Sequence, residues 1–308
     1  MKIVILDGHT LNPGDNPWDA VAELGEFVLY DYTPAGQVIE RSLDADVIVT
    51  NKAVLSAEVI NKLPKLKFIA VTATGYNIVD ISAAREREIP VSNVPEYSTD
   101  SVAQFTFALI LELAHHAGRH SDSVRASEWS KHQDFCFWET PQIELKGKTL
   151  AIIGYGKIGH RVGEIAEALG MKILTAGRDL AKVREAVAKA DVVTFHSPLT
   201  DANKGIINRE LLALMKPTAF LINAARGGLV VEQDLADALN AGKIAGAAVD
   251  VVSVEPIKPD NPLLKAKNCI ITPHMAWASL EARQRLMQAT AENIRAFQEG
   301  KPTNVINK

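Results

Sequence analysis

The chain has 308 residues, of which 47% are hydrophobic and 23% are charged, and its formal net charge at pH 7 is −4. This length exceeds that of one typical domain and predicts two, each able to bury its own core. The composition is ordinary for a globular protein and gives no electrostatic reason to expect nucleic acid or a membrane surface as a partner.

Five short apolar segments alternate with helical patterns at the start of the chain, and we predict that they are strands. They cover residues 2–7, 26–30, 46–50, 68–72 and 90–94. Their near-continuous Val, Ile and Leu content is typical of strands that are buried on both faces, which favours a parallel sheet.

A longer helical pattern begins near residue 101 and is apolar on nearly every side. Thr99, Asp100 or Ser101 is the expected N-cap. A helix of this kind must be buried between larger bodies, at a domain junction or a subunit interface. Residues 125–141 follow with several aromatic side chains and no clear periodicity, and a partner subunit is one candidate for their cover.

Residues 148–159 combine an apolar strand pattern with a Gly-x-Gly-x-x-Gly turn and the start of a helix. Gly154 would allow the tight turn, Gly156 would let the backbone approach a pyrophosphate, and Gly159 would let the helix pack closely on the strand. The pyrophosphate would lie at the helix N-terminus, where unpaired N–H groups and the helix dipole favour negative charge. The pattern therefore predicts a dinucleotide site.

Further strand patterns follow this turn, separated by helical patterns as a doubly wound sheet requires. They cover residues 171–176, 191–196, 219–225, 244–251 and 268–272. A last helical pattern over residues 280–297 follows the final strand and can return to the first domain. The two domains would then be joined by two chain crossings.

The two cysteines, Cys136 and Cys269, have neither disulfide-framework nor metal-ligand spacing. The first apolar segment is short and lacks a cleavage site, so it indicates a strand rather than a signal peptide, and no stretch is long enough to span a membrane. We therefore expect a reduced, cytoplasmic setting and no metal.

Three further motifs lie at or just after predicted strand ends. They cover residues 221–228, which include Arg226, residues 249–256, which include Glu255, and residues 271–277, which include His274. Each alone is more typical of a turn, a strand exit or a loop, but ligands bind at the strand ends of a doubly wound sheet. With the glycine-rich turn ahead of them, they resemble the D-2-hydroxyacid dehydrogenase family. Residues 72–80 and 135–138 are most similar to its glycerate dehydrogenase and hydroxypyruvate reductase branch.

The resemblance covers essentially the whole chain and implies two doubly wound parallel-sheet α/β domains. A flavodoxin-like substrate domain would comprise residues 1–99 plus 284–308, and a Rossmann domain that binds NAD(P) would comprise residues 100–283. The implied activity is hydride transfer between NAD(P)H and a small 2-oxo acid, hydroxypyruvate or glyoxylate, to give the D-2-hydroxy acid. A homodimer is implied as well, in which Trp138 either shapes the neighbouring subunit's substrate pocket or packs in a core.

The resemblance also implies a catalytic set whose chemistry suits this reaction. Arg226 would hold the substrate carboxylate with a planar, permanently charged fork. His274 would be the general acid in reduction and the base in oxidation, and Glu255 would orient its ring and stabilise its protonated form. The backbone N–H groups of Ala73-Thr74-Gly75 would cradle the carboxylate opposite Arg226, although this loop also suits an ordinary turn.

Other positions match the family's cofactor site. Asp250 would hydrogen-bond the nicotinamide amide, with a structural role as the competing interpretation, and His196 would lie beside the adenosine and ribose unless it only caps or packs. The full expected set is Gly154, Gly156, Lys157, Ile158, Gly159, Gly177, Arg178, His196, Ser197, Pro198, Ala224, Ala225 and Asp250.

One position departs from an NAD-preferring site, which has an acidic residue roughly 20 residues beyond the glycines. The register places Gly177 there, followed by Arg178. The missing carboxylate removes repulsion against a 2′-phosphate and the guanidinium can pair with it, which favours NADPH. If the register shifts by a residue or two, Asp179 becomes the ribose ligand and NAD is favoured instead.

A second function from another class is a nucleotide-sensing binding protein, similar to the corepressors built on this fold, because fold alone does not separate the two. The intact set of Arg226, Glu255 and His274 favours the enzyme. Val231 stands where many relatives have aspartate, and we expect this to affect helix capping more than chemistry.

Overall fold

The computed structural model describes all of residues 1–308, and the chain forms two compact units. Unit 1 comprises Met1–Ser98 and Ala278–Lys308, and unit 2 comprises Thr99–Trp277. The predicted division after residue 283 falls inside the last helix, which begins at Leu280 with Ser279 as its N-cap. The whole of that helix therefore belongs to unit 1.

Five parallel strands build the sheet of unit 1. They are β1 (Lys2–Ile5), β2 (Glu26–Leu29), β3 (Val47–Thr50), β4 (Phe68–Val71) and β5 (Val91–Ser92). The helices of this unit are α1 (Asp19–Ala22), α2 (Val38–Ser42), α3 (Ala57–Asn61), α4 (Ile81–Glu86) and, last in the chain, α11 (Leu280–Gln298). The strand order β2-β1-β3-β4-β5 is that of the flavodoxin-like fold, as expected.

Continuous aliphatic runs explain the core of unit 1. β3 and β4 are buried along their whole length, and each of their Val, Ile and Phe side chains contributes about 1.5–3 kcal/mol to stability relative to an exposed one. β2 is half exposed because it lies at the sheet edge, so the expectation of burial on both faces is wrong for this strand. α11 packs on the sheet, where the rings of Phe297 and Phe68 stack with centroids 4.6 Å apart.

Six parallel strands build the sheet of unit 2. They are β6 (Thr149–Ile153), β7 (Lys172–Ala176), β8 (Val192–Phe195), β9 (Phe220–Asn223), β10 (Gly246–Val249) and β11 (Cys269–Ile271). The helices are α5 (Thr99–His115), α6 (Ala117–Arg125), α7 (Lys157–Ala168), α8 (Leu180–Lys189), α9 (Arg209–Leu212) and α10 (Glu232–Asn240). The order is β11-β10-β9-β8-β6-β7, so β7 and β8 flank β6 on opposite sides. The chain reverses direction across the sheet there, and the crevice at the strand ends beside β6 is where Rossmann-type sheets bind ligands.

α5 covers one face of this second sheet. Phe107, Ile110 and Leu113 join a buried cluster with residues of α7 and of the strands. The helix begins at Thr99, so the three expected N-cap residues lie in its first turn instead. The opposite flank is open: Leu111 is 39% exposed and borders an apolar groove of about 400 Å³. Burial on every side, which the sequence predicts, is therefore not achieved within the chain.

Candidate active site

The glycine-rich turn connects β6 to α7 with the expected close contacts. Gly154 has a φ of +96°, which L side chains rarely adopt, and a Cβ there would lie 2.7 Å from the backbone nitrogen of Ser197. A Cβ on Gly159 would overlap the carbonyl oxygen of Gly154, so only glycine permits this approach of helix to strand. At Gly156, by contrast, no heavy atom lies within 4 Å of the Cβ position.

The N-terminus of α7 suits an anion. Gly156 is its N-cap, no side chain caps the helix, and its first turn contains no acidic residue. The N–H groups and the dipole of this helix end favour a phosphate, and the open space at Gly156 allows it to approach the backbone. The residues present therefore fit the pyrophosphate of a dinucleotide.

The loop His196-Ser197-Pro198 follows β8 and lies against Gly154 across the crevice. Nε2 of His196 is 2.9 Å from the hydroxyl oxygen of Thr194, while Nδ1 is buried without a hydrogen-bond partner. Burial lowers the pKa of His196 to about 4, so the ring is neutral near pH 7. The structure thus brings this predicted loop beside the glycine-rich turn.

The end of β7 presents the residues that bear on cofactor choice. Gly177 and Arg178 come directly after the strand and are exposed, and no heavy atom lies within 4 Å of the Cβ position of Gly177. Asp179 is the N-cap of α8, and its Oδ1 accepts hydrogen bonds from the N–H groups of Ala181 at 2.9 Å and Lys182 at 3.3 Å. Its carboxylate is therefore engaged in capping, which disfavours the register that makes it a ribose ligand.

A buried asparagine shapes the turn that carries Arg226. Asn223 ends β9, its Nδ2 donates to the carbonyl oxygen of Arg226 at 2.9 Å, and its Oδ1 accepts from the N–H of Ala225 at 3.1 Å. The exposed guanidinium of Arg226 donates to the carbonyl oxygen of Ala225 at 2.7 Å and forms no ion pair. It is free to bind an anionic ligand. The sequence places Asn223 within a motif but does not predict this role, although a polar residue closing an aliphatic strand is a usable signal.

His274 and Glu255 meet although they come from different loops. Nδ1 of His274 is 2.6 Å from Oε2 of Glu255, and the side chains are 31% and 36% exposed. Because an ionised carboxylate only accepts hydrogen bonds, Nδ1 carries the proton, which leaves Nε2 for exchange with a substrate. The backbone of His274 has a φ of +54°, an uncommon value for a residue other than glycine that surrounding contacts must maintain.

Asp250 supplies those contacts. It is 1% exposed; its Oδ1 accepts from the Thr272 hydroxyl at 2.7 Å and the Met275 N–H at 2.9 Å, and its Oδ2 accepts from the Ala276 N–H at 2.9 Å. The carboxylate therefore fastens the loop that carries His274. This is the structural role that the sequence leaves open, and the contact with the nicotinamide amide remains a prediction.

In unit 1, the loop Ala73-Thr74-Gly75 follows β4 and is braced by its neighbours. The hydroxyl of Thr74 donates to the carbonyl oxygen of Val94 at 3.0 Å, and Nδ2 of Asn93 donates to the carbonyl oxygen of Thr74 at 2.8 Å. The N–H groups of Thr74 and Gly75 donate no hydrogen bond within the chain. They are available to an anion, as the predicted carboxylate cradle requires.

The fold and the chemistry of these loops agree with comparisons with known proteins. A family profile described as D-isomer specific 2-hydroxyacid dehydrogenase, NAD binding domain, matches residues 107–276. The chain is 49% identical to a hydroxypyruvate reductase of Blautia hydrogenotrophica, with all of both chains covered, and 40% identical to a glycerate dehydrogenase of Methylorubrum extorquens, with 99% of this chain and 98% of that protein covered.

A solved structure gives the same result. The NADPH-dependent glyoxylate/hydroxypyruvate reductase of Sinorhizobium meliloti, in complex with citrate, superposes with a TM-score of 0.85 at 26% identity, covering 99% of this chain and 97% of that one. Fold and site together define a nicotinamide-dependent dehydrogenase that acts on CH–OH groups. The chain belongs to the D-2-hydroxyacid dehydrogenase family, which confirms the resemblance and the fold expected from the sequence.

Proposed function

We propose that this protein reduces a small 2-oxo acid to the D-2-hydroxy acid, with hydroxypyruvate as its best substrate and glyoxylate as the next. The observation that carries the proposal is the 2.6 Å contact between His274 and Glu255, on strand ends of the same sheet that presents Arg226. The names of the two relatives at 49% and 40% identity support hydroxypyruvate and glycerate as the two sides of the reaction.

Each of the three residues has a task that its surroundings allow. Arg226, which forms no ion pair, binds the substrate carboxylate through its guanidinium. His274 donates the Nε2 proton to the carbonyl oxygen during reduction and accepts it back during oxidation. Glu255 holds the ring through Nδ1 and stabilises the positive charge that the imidazole carries before it gives up that proton.

The remaining expected residues are assigned to binding. The strand-end groups that would hold the cofactor are Gly154, Gly156, Lys157, Ile158, Gly159, Gly177, Arg178, His196, Ser197, Pro198, Ala224, Ala225 and Asp250. When bound, the cofactor supplies the hydride that reduces the carbonyl carbon. In unit 1, the free N–H groups of the Ala73-Thr74-Gly75 loop give further donors for the substrate carboxylate.

We also propose a preference for NADPH over NADH. The position after β7 holds Gly177 with the guanidinium of Arg178 beside it, and the nearby carboxylate of Asp179 is engaged in capping α8. A 2′-phosphate would therefore meet the guanidinium of Arg178, while Oδ1 of Asp179 is held by the N-terminus of α8. The Sinorhizobium meliloti reductase is NADPH-dependent, which supports the same assignment.

Gly177→Asp is expected to reverse this preference. The Cβ position is open, so the carboxylate fits, repels a 2′-phosphate and accepts hydrogen bonds from the ribose hydroxyls of NADH. A charged hydrogen bond of about 1.5–3 kcal/mol gained or lost predicts a shift of roughly 10- to 100-fold in the ratio of kcat/KM for NADPH to that for NADH. Arg184→Ala, an exposed arginine within α8, is the matched control and should leave the ratio unchanged. An equal effect of Gly177→Asp on both cofactors would contradict the assignment.

A homodimer is proposed from two exposed apolar features of unit 2. The open flank of α5 borders the apolar groove, and the segment after α6 exposes Trp129, Phe135 and Trp138, of which Phe135 is 88% exposed. A second copy would cover both, and Trp138, which is 67% exposed rather than packed in a core, would then be placed to shape a neighbouring substrate pocket. A solution mass equal to one 33.4 kDa chain would contradict this.

A reducing, cytoplasmic location is proposed from the cysteines. Both are free, and Cys136 is exposed, which suits a compartment that keeps thiols reduced. Burial raises the pKa of Cys269 to about 12, so this thiol is unreactive.

None of the helices has the length and apolar character that crossing a membrane requires. No group of three His, Cys, Asp or Glu side chains is placed to hold a metal ion.

Initial-rate assays of the purified protein test the proposed function. Hydroxypyruvate, glyoxylate and pyruvate are each supplied with NADPH and with NADH, and cofactor binding is measured in parallel by fluorescence. We expect the highest kcat/KM with hydroxypyruvate and NADPH. Tight cofactor binding without turnover of any substrate would indicate a nucleotide-sensing protein instead.

A further inference from the structure

Glu232 makes a dense set of contacts that the catalytic assignment does not use. It is the first residue of α10, whose N-cap Val231 contributes no side-chain hydrogen bond. Its Oε1 accepts from the N–H of Ser253 at 2.7 Å, and its Oε2 accepts from the Ser253 hydroxyl at 2.9 Å and from Nδ2 of Asn261 at 3.0 Å. Both partners lie in the loop that follows β10.

That loop carries Glu255, and its backbone determines where the Glu255 carboxylate lies. The N–H of Val252 donates to Oε1 of Glu255 at 3.2 Å, while Oε2 faces His274. Ser253 lies between Val252 and Glu255 in the chain. Its N–H and its hydroxyl both donate to Glu232. A shift of Ser253 would therefore be transmitted to the carboxylate that orients the imidazole.

The same loop also touches the turn that carries Arg226. A Cβ on Gly227 would overlap the backbone of Val252 and Ser253, so the two loops meet backbone to backbone with no space for a side chain. α10 follows that turn in the chain. Glu232 thus connects the turn of Arg226 to the loop of Glu255.

We propose that Glu232 is a positioning residue for the proposed reduction. It acts through Ser253 to keep Glu255 aligned with Nδ1 of His274, and it contacts neither substrate nor cofactor. An acidic residue in the first turn of a helix also interacts favourably with the helix dipole, so Glu232 contributes to stability as well. The test must therefore separate positioning from a general contribution to stability.

A double-mutant cycle makes that separation, and it rests on the proposed reductase activity. Glu232→Ala is expected to lower kcat for hydroxypyruvate by about 10- to 100-fold, as a small misplacement of catalytic groups does, with little change in KM for NADPH. In a Glu255→Gln background the same substitution is expected to cost less than about twofold, because the group it positions has already been altered.

Controls distinguish the outcomes. Gln233→Ala removes a neighbouring exposed side chain of α10 that donates a hydrogen bond to Asp237, and it should have no effect on kcat. Equal losses in both backgrounds would show that Glu232 has only a structural role. Amide hydrogen exchange of residues 252–256 needs no turnover and should accelerate in Glu232→Ala; an unchanged rate would overturn the proposal even if the wild-type protein reduced none of the substrates, a result that would count separately against the proposed function.

Discussion

Replacing His274 is expected to lower kcat for hydroxypyruvate reduction by about 10²- to 10⁴-fold, the usual contribution of a general acid. The Nδ1 contact with Glu255 fixes the ring and leaves Nε2 to exchange a proton with the substrate. His196, in the same unit, is neutral near pH 7 because burial lowers its pKa to about 4, so it cannot act as a substitute acid. Binding of NADPH, measured by fluorescence titration, should change by less than about twofold since His274 is assigned to proton transfer.

Two variants separate chemistry from backbone effects at this position. Alanine is strained at a φ of +54°, whereas asparagine tolerates the left-handed region, and neither side chain exchanges a proton near neutral pH. His274→Asn should therefore match His274→Ala in kcat while unfolding at a higher temperature. His115→Ala is the control, since His115 is an exposed residue at the end of α5 that contacts Gln142. Near wild-type turnover by His274→Asn would remove this residue from the catalytic role.

Most of the fold could be predicted from the sequence, because the patterns that specify strands and turns are local. Every predicted strand is present, since buried parallel strands require continuous aliphatic runs, and the positive φ of Gly154 is a property of the motif itself. The exposure of β2 was not accessible, because an edge position depends on strand order across the whole sheet. The open flank of α5 could not be predicted for a similar reason. The helix sequence shows that its apolar side chains need to be covered, but not whether the same chain or a second subunit covers them.

The candidate site is likewise predictable from the sequence only in part. The family motifs identify Arg226, Glu255 and His274, yet the 2.6 Å contact between the last two is a tertiary fact about residues on separate loops. Glu232 was not predicted because its partner Ser253 lies in another loop, which no local pattern specifies. Asn223 stands within the motif of residues 221–228, but its bonds within the turn of Arg226 become visible only in the structure. In related sequences, polar residues that close a strand or begin a helix are therefore candidates for the same supporting roles.

Replacing Arg226 should produce the second large loss of activity. The substrates that are affected identify what the residue binds. Removing one partner of a desolvated charge pair costs about 2–5 kcal/mol, so Arg226→Ala is expected to lower kcat/KM for hydroxypyruvate by roughly 30- to 5,000-fold. Arg226→Lys keeps the charge but loses the planar fork, so its loss should be smaller yet clear. Arg209→Ala, an exposed arginine of unit 2 that pairs with Asp234, is the control and should leave kcat/KM unchanged.

A neutral substrate tests directly whether Arg226 binds the carboxylate. If the guanidinium of Arg226 holds a carboxylate, an uncharged 2-oxo compound such as methylglyoxal gains nothing from it, and its slow reduction should be equally slow in the wild type and in Arg226→Ala. If Arg226 instead supported the turn through its contact with the carbonyl oxygen of Ala225, both substrates would lose activity by the same factor. The buried side chain of Asn223 already holds that turn with two hydrogen bonds of its own, so the geometry favours a loss of activity confined to the acid substrate.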